Sequence, residues 1–223
     1  DLLRWNARKT YLRQLEHAGV PTIDTIWVDG LEAGRLARAF EDLDAAELVV
    51  KPQLGASGEG ALRLKRNTWS AGDLVLGPQG PAMIQPFLQS VQDEGEGSLL
   101  YFGGALAYAI RKKPRAGRWS ASDPDARFTI IAPPPGAREV AEMALHAPPG
   151  DVLYARVDLL KGPSGDWRIN ELELIEPYFF LVFAPAAADF FARGLVRTLS
   201  EPFVAPLASP AESTVLPRKR QRS

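Results

Sequence analysis

The sequence predicts an α+β protein with antiparallel sheets. Residues 154–160 and 167–175 are apolar runs flanking a turn of Lys161, Gly162, Pro163, Ser164, Gly165 and Asp166, as expected of a hairpin. Residues 98–102 and 105–111 form a second hairpin about Gly103 and Gly104, a pair that permits a tight primed turn. Between such strands, apolar residues recur at helical spacing. With 223 residues, 46% of them hydrophobic, the chain can build one large domain or two smaller lobes with a real core.

Taken in order, residues 5–18 read as a helix with Asn6 as its N-cap and Tyr11, Leu12 and Leu15 on one face; Gly19 stops it. Residues 22–28 are a strand and residues 31–43 a weaker helix carrying Leu36, Ala37 and Phe40. Residues 48–52 read as a buried strand ending in Lys51, a glycine-rich loop runs from 53 to 60, and 61–65 is the return strand. Residues 68–80 are turn-rich, 82–88 a short strand and 89–97 an acidic loop. Arg111, Lys112, Lys113 and Arg115 close the second strand of the glycine hairpin, and residues 117–131 read as polar loop. Helices are expected over 137–145 and 185–199, with an aromatic run after Pro177 that is most simply core.

Composition excludes several functions. A formal charge of −1 gives no basis for a nucleic-acid or membrane surface, and the basic end, 217–223, reads as a solvated tail. No cysteine is present, so disulfide and thiolate chemistry are excluded, in keeping with a reducing, cytoplasmic setting. His17 and His146 are the only histidines, too few for a histidine-rich zinc site. No apolar run is long enough to span a membrane. The chain opens at Asp1 without methionine, as a piece of something longer would.

Two segments carry chemistry. Strand alternation sets Glu171 and Glu173 on the face opposite Leu172 and Leu174, and Asp158 on the partner strand can join them. Three such carboxylates oppose folding unless a positive charge sits among them, and a hard divalent cation such as Mg²⁺ supplies it. A wet acidic face without a ligand is the other reading. The second segment is Lys51 with the loop containing Gly55, Ser57, Gly58 and Gly60. Glycines let backbone N–H groups approach an anion and the lysine adds charge, a phosphate-cradle composition. The spacing is neither that of a P-loop nor the dinucleotide one, and the loop joins two strands, so a lid suits it better; a ligand-free hairpin tip is the alternative. Lys9, taken alone, is a surface lysine.

In this order the segments resemble the ATP-grasp superfamily of ATP-dependent carboxylate–amine or thiol ligases, over roughly residues 4–192. The carriers are Asn6 to Lys9 with Gly19 to Pro21, Val49 to Pro52 with the glycine loop, Gln85 to Leu88, Gly95 to Ser98, Arg111, Arg156 to Asp158, and Asn170 to Glu173. The opening, and the 171–177 segment with its aromatics, look like the glutathione synthetase branch and closer still to cycloserine-forming synthetases.

The resemblance implies two α+β lobes clasping ATP, residues 1–82 and 83–205, with a tail at 206–223. It implies that Lys9 and Lys51 hold phosphates beneath a lid of Gly55 to Gly60, including Ser57 and Gly58. Gln85, Pro86, Phe87 and Leu88 would face adenine, and Glu96 the ribose. Arg111 would sit near the phosphates, and Arg156 would steady an acyl-phosphate. Asp158, Glu171 and Glu173 would ligate Mg²⁺, with Mn²⁺ an alternative; Glu173 stands where many members have asparagine. The implied partners are a small carboxylate and an amine acceptor, and a homodimer is left open. The family's usual N-terminal α/β domain is missing, and an ATP-grasp kinase or a nucleotide-binding module without turnover are the alternative functions.

Overall fold

The computed structural model describes residues 1–56, 58–119 and 125–200. Two antiparallel sheets face each other. The smaller has the order β1-β4-β2-β3, from β1 (Ile26–Val28), β2 (Glu47–Pro52), β3 (Leu62–Lys65) and β4 (Ala82–Pro86). The larger has the order β7-β6-β5-β8-β9, from β5 (Glu96–Phe102), β6 (Ala105–Lys113), β7 (Arg127–Ile131), β8 (Tyr154–Lys161) and β9 (Trp167–Glu173). The hairpin turn between β5 and β6 places Gly103 and Gly104 at φ 57° and 78°, the left-handed region that a primed turn needs.

Each sheet buries one face under helices. α3 (Ala33–Asp42) lays Leu36, Ala39 and Phe40 on the smaller sheet against Leu48, Val50 and Ile84. α2 (Tyr11–His17) and α5 (Ala137–Leu145) cover the larger one, packing Leu12, Leu15, Ala141 and Ala144 onto Leu99, Tyr101, Val157 and Leu159. α6 (Ala186–Ser200) closes the opposite end through Phe191, 4.8 Å from Phe102. The packing therefore does not divide at residues 82 and 83. The N-terminal helix sits on the larger sheet, while β4 completes the smaller one through pairs such as Val50 with Ile84. A small cluster of Ile23, Leu88, Val91 and Leu160, with Phe87 against it, lies where the chain passes between the sheets.

Four local expectations are corrected. The opening is two helices, α1 (Leu2–Asn6) and α2, not one. Asn6 is not an N-cap: its amide donates to Leu172 O at 2.8 Å and its oxygen accepts from Leu174 N at 2.9 Å, while Leu172 N donates to the Tyr11 hydroxyl at 2.8 Å. Two side chains thus take the place of a neighbouring strand along the edge of β9, which satisfies backbone groups that would otherwise be orphaned. Residues 127–131, read as loop, form edge strand β7, and the 89–97 loop contains the short α4 (Ser90–Asp93). Asn6→Ala is expected to lower stability by about 1–3 kcal/mol, since it strips both partners from β9; a drop in urea midpoint at unchanged slope would report it. No described helix is long and apolar enough to cross a membrane.

Candidate active site

Between the two sheets lies a cleft of ≈ 1020 Å³. Its larger-sheet floor follows from alternation. Positions 96 and 98 of β5, 110 and 112 of β6, and 156 and 158 of β8 point away from the helix-covered core. Register then sets neighbours side by side: Glu96 with Lys112, Ser98 with Asp158, Asp158 with Glu171, and Arg156 with Glu173.

The result is a continuous charged network. Lys112 Nζ lies 2.7 Å from Glu96 Oε2 and 2.9 Å from Asp158 Oδ2. Ser98 donates to Asp158 Oδ1, and Arg156 grips the same carboxylate at 3.0–3.2 Å through Nε and Nη2 while Nη2 also reaches Glu173. Asn170 Nδ2 donates to Glu96 Oε1 at 2.6 Å, and its oxygen accepts from Lys51 Nζ at 2.7 Å. Burial pushes the Glu96 carboxyl up. Burial acts on Asp158 in the same direction, but Arg156 and Lys112 beside it outweigh that and hold it well below the carboxylate range. Glu173 is pushed up to about 7, first by burial and then by the neighbouring Asp158 charge. Arg156 is therefore neutralised chiefly by Asp158, which takes most of its contacts, and Glu173 is the weaker partner.

The smaller-sheet side brings Lys9 and Lys51. Lys9 N–H donates to Gln53 O at 2.8 Å, and its ammonium lies 2.9 Å from Gly55 O and 3.5 Å from Glu171. Loss of solvent pushes the Lys51 ammonium below its ordinary value. Gly58 and Gly60, at φ 72° and 69°, shape the loop that overhangs these lysines; Ser57 lies outside the described residues. At the back, Gln85 is buried and donates to Thr25 Oγ1 at 3.0 Å; Pro86, Phe87 and Leu88 line the wall beside it.

Most of the sequence-derived site residues thus line one cleft, with two corrections. Arg111 is on the other face of β6, exposed, facing a separate hollow of ≈ 600 Å³ with Trp167 and Lys161; alternation by one residue gives its place to Lys112. The three carboxylates do not gather as one ligand set: among the described residues no group of three or more His, Cys, Asp or Glu side chains is arranged to hold a metal ion. Asp158 is spent on Ser98, Lys112 and Arg156, and the positive charges among the carboxylates are the protein's own. Each Glu96 oxygen accepts from one group of the protein, Asn170 Nδ2 on one and Lys112 Nζ on the other. Lys112 and Asn170 were missed. The period of β6 groups the first with Ile110, but which face meets the cleft is set by the helices on the other side. The second depends on an irregularity that pairs Asp158 with Glu171 but Leu159 with Ile169, leaving Asn170 as the extra residue and turning it into the cleft beside Glu171.

A Mg²⁺ ion keeps several waters and takes one or two carboxylates besides phosphate oxygens. Glu171 and Glu173, 23% and 28% exposed on the cleft wall, fit that demand; Asp158, 3% exposed and fully bonded, does not as it stands.

Two facing antiparallel sheets with a lysine-lined cleft and a glycine lid define a nucleotide-clasping class of enzyme. No family model matches the chain. It is 31% identical over 217 residues to the cycloserine biosynthesis protein DcsG of Streptomyces lavendulae, covering 89% of this chain and 71% of that protein. The crystal structure of D-cycloserine synthetase DcsG superposes with a TM-score of 0.74 at 29% identity, over 88% of this chain and 71% of that one. The ATP-grasp ligase PsnB (TM-score 0.64, 16% identity, 89% of this chain and 60% of that one) and D-alanine–D-alanine ligase from Bacillus anthracis (0.61, 17%, 87% and 66%) share the fold. The chain belongs to the ATP-grasp ligase family. It is accordingly an ATP-dependent ligase that joins a carboxylate to an amine.

Proposed function

We propose that the cleft binds ATP with Mg²⁺ and activates a small carboxylate as an acyl-phosphate, which an amine then attacks with release of phosphate. The observation that carries this reading is that Lys9, Lys51, Glu171, Glu173 and Arg156 line one cleft beneath a glycine loop. Lys9 and Lys51 would pair with phosphate oxygens as charged donors. The 55–60 loop would fold over them and exclude water from the acyl-phosphate. Gln85 and the backbone of the 86–88 segment would border the base. A bound Mg²⁺, held by Glu171 and Glu173, would supply charge neutralisation on the phosphates.

Arg156 is held in place by Asp158, by Tyr178 O at 3.3 Å and over the Phe180 ring at 5.6 Å. A guanidinium fixed in this way is preorganised to stabilise the oxyanion that develops when the amine attacks. Lys112, not Arg111, would support it from beneath by keeping Asp158 ionised. The substrates are proposed to be a small, amino-acid-like carboxylate and an amine in a reducing, cytoplasmic setting. Mn²⁺ would serve in place of Mg²⁺.

The test is a screen of carboxylates and amines for ADP formation, followed by the active acid labelled with ¹⁸O in its carboxylate. One ¹⁸O transferred to inorganic phosphate is expected. A stable phosphoester product, or phosphate free of label, would sink the acyl-phosphate route.

A further inference from the structure

The cleft extends past its phosphate end to a turn at residues 175–180. We propose that this turn is the substrate-selective wall, with Glu176 the carboxylate that receives a substrate ammonium group. The inference rests on the ligase reading above and names the residue that would discriminate among acids.

Charge is the first support. Glu96, Asp158, Glu171 and Glu173 each face a cation of the protein. Glu176 lines the same cleft, is exposed, and has no hydrogen-bond or ion-pair partner among the described residues. The Glu59 side chain is likewise without a partner among the described residues, but it belongs to the glycine loop over the lysines. Arg156, the cation that holds this turn, is already matched by Asp158 and Glu173, so Glu176 is left to answer a substrate cation.

The surroundings of Glu176 suit an ammonium. Tyr178 and Phe180 follow it with ring centroids 4.6 Å apart, and Phe128 of β7 lies 5.3 Å from Phe180. All three rings line the cleft, and Tyr178 stays 60% exposed. Aromatic faces beside a carboxylate form an environment that holds a cation through the ring quadrupole as well as by charge.

The turn is also held in an unfavourable backbone state. Glu176 and Phe180 have φ of 40° and 57°, two of three non-glycine residues in the left-handed region among those described. Such conformations persist where the surroundings over-determine them, and they concentrate at ligand sites. Here Arg156 fixes the turn by donating to Tyr178 O. The guanidinium placed for the reacting carboxylate therefore also sets the distance to Glu176. A substrate bearing both groups on a short carbon body would span the two.

The proposal is tested on the full chain with Mg²⁺ and a non-hydrolysable ATP analogue. Saturation-transfer NMR would compare both enantiomers of alanine and serine with propionate and 3-hydroxypropionate. At least one amine-bearing probe is expected to receive at least tenfold more saturation than its deaminated partner. Glu176→Gln should abolish the difference, Glu176→Asp should retain part of it, and Tyr178→Ala should weaken it. Equal saturation of the partners, no engaged amine, or an unaltered Glu176→Gln profile overturns the proposal. Calorimetry of the analogue on the same samples separates the two readings. Intact nucleotide binding without amine selectivity rejects only the Glu176 assignment, whereas a wild-type chain that takes no nucleotide rejects the ligase reading and this proposal with it.

Discussion

Replacing Asp158 with alanine is expected to destabilise the protein by about 3–5 kcal/mol and to abolish ADP formation. Asp158 is buried and, among the described residues, is the one carboxylate that Ser98, Lys112 and Arg156 all address. Its removal leaves two buried cations, Lys112 and Arg156, with only Glu96 and the partly exposed Glu173 to balance them, which is the costly way to break a buried pair. Because its carboxyl is held well below the usual range, its stabilisation is fully present above the unfolded-state value near 4 and is lost as pH falls through the depressed folded one. Urea denaturation at pH 7 would show the loss as a lower midpoint. Ser98→Ala, which removes one neutral donor, should cost only about 1 kcal/mol. Equal and small effects from both substitutions would mean that Asp158 is not the hub of the network.

Lys51→Met should behave in the opposite manner. Loss of solvent already pushes the Lys51 ammonium down, and among the described residues its one hydrogen-bond partner is the neutral Asn170. Removing the charge relieves desolvation, so the urea midpoint should stay unchanged or rise. A charge-assisted hydrogen bond to phosphate is worth about 1.5–3 kcal/mol, so ATP affinity should fall about 10–100-fold. Stability retained while affinity falls marks a residue kept for its ligand. A large loss of stability with intact ATP binding would make Lys51 structural.

Legibility in the sequence followed the range of the interactions. Helix α5 and the β8–β9 hairpin were readable because their periodicity and turn residues are local. Arg111 and Lys112 show where local reading fails: both are cations at a strand end, and only the face covered by α2 and α5 decides which one enters the cleft. Asn6 reads as a cap from its neighbours alone, but its partners are 166 and 168 residues away, in β9 and just after it. Asn170 depends on a strand irregularity that no spacing rule reveals. The carboxylates do line one cleft, yet the cations among them come from β6, β8 and Lys9, and side-chain pairing across strands is set by register.

The most direct test of a nucleotide-clasping ligase is calorimetric titration of ATP, with and without Mg²⁺, into the wild-type chain and Glu171→Gln. Mg²⁺-dependent binding in the wild type that Glu171→Gln loses is expected. Absence of binding by the folded chain, or binding indifferent to both Mg²⁺ and Glu171, would contradict the assignment of this cleft.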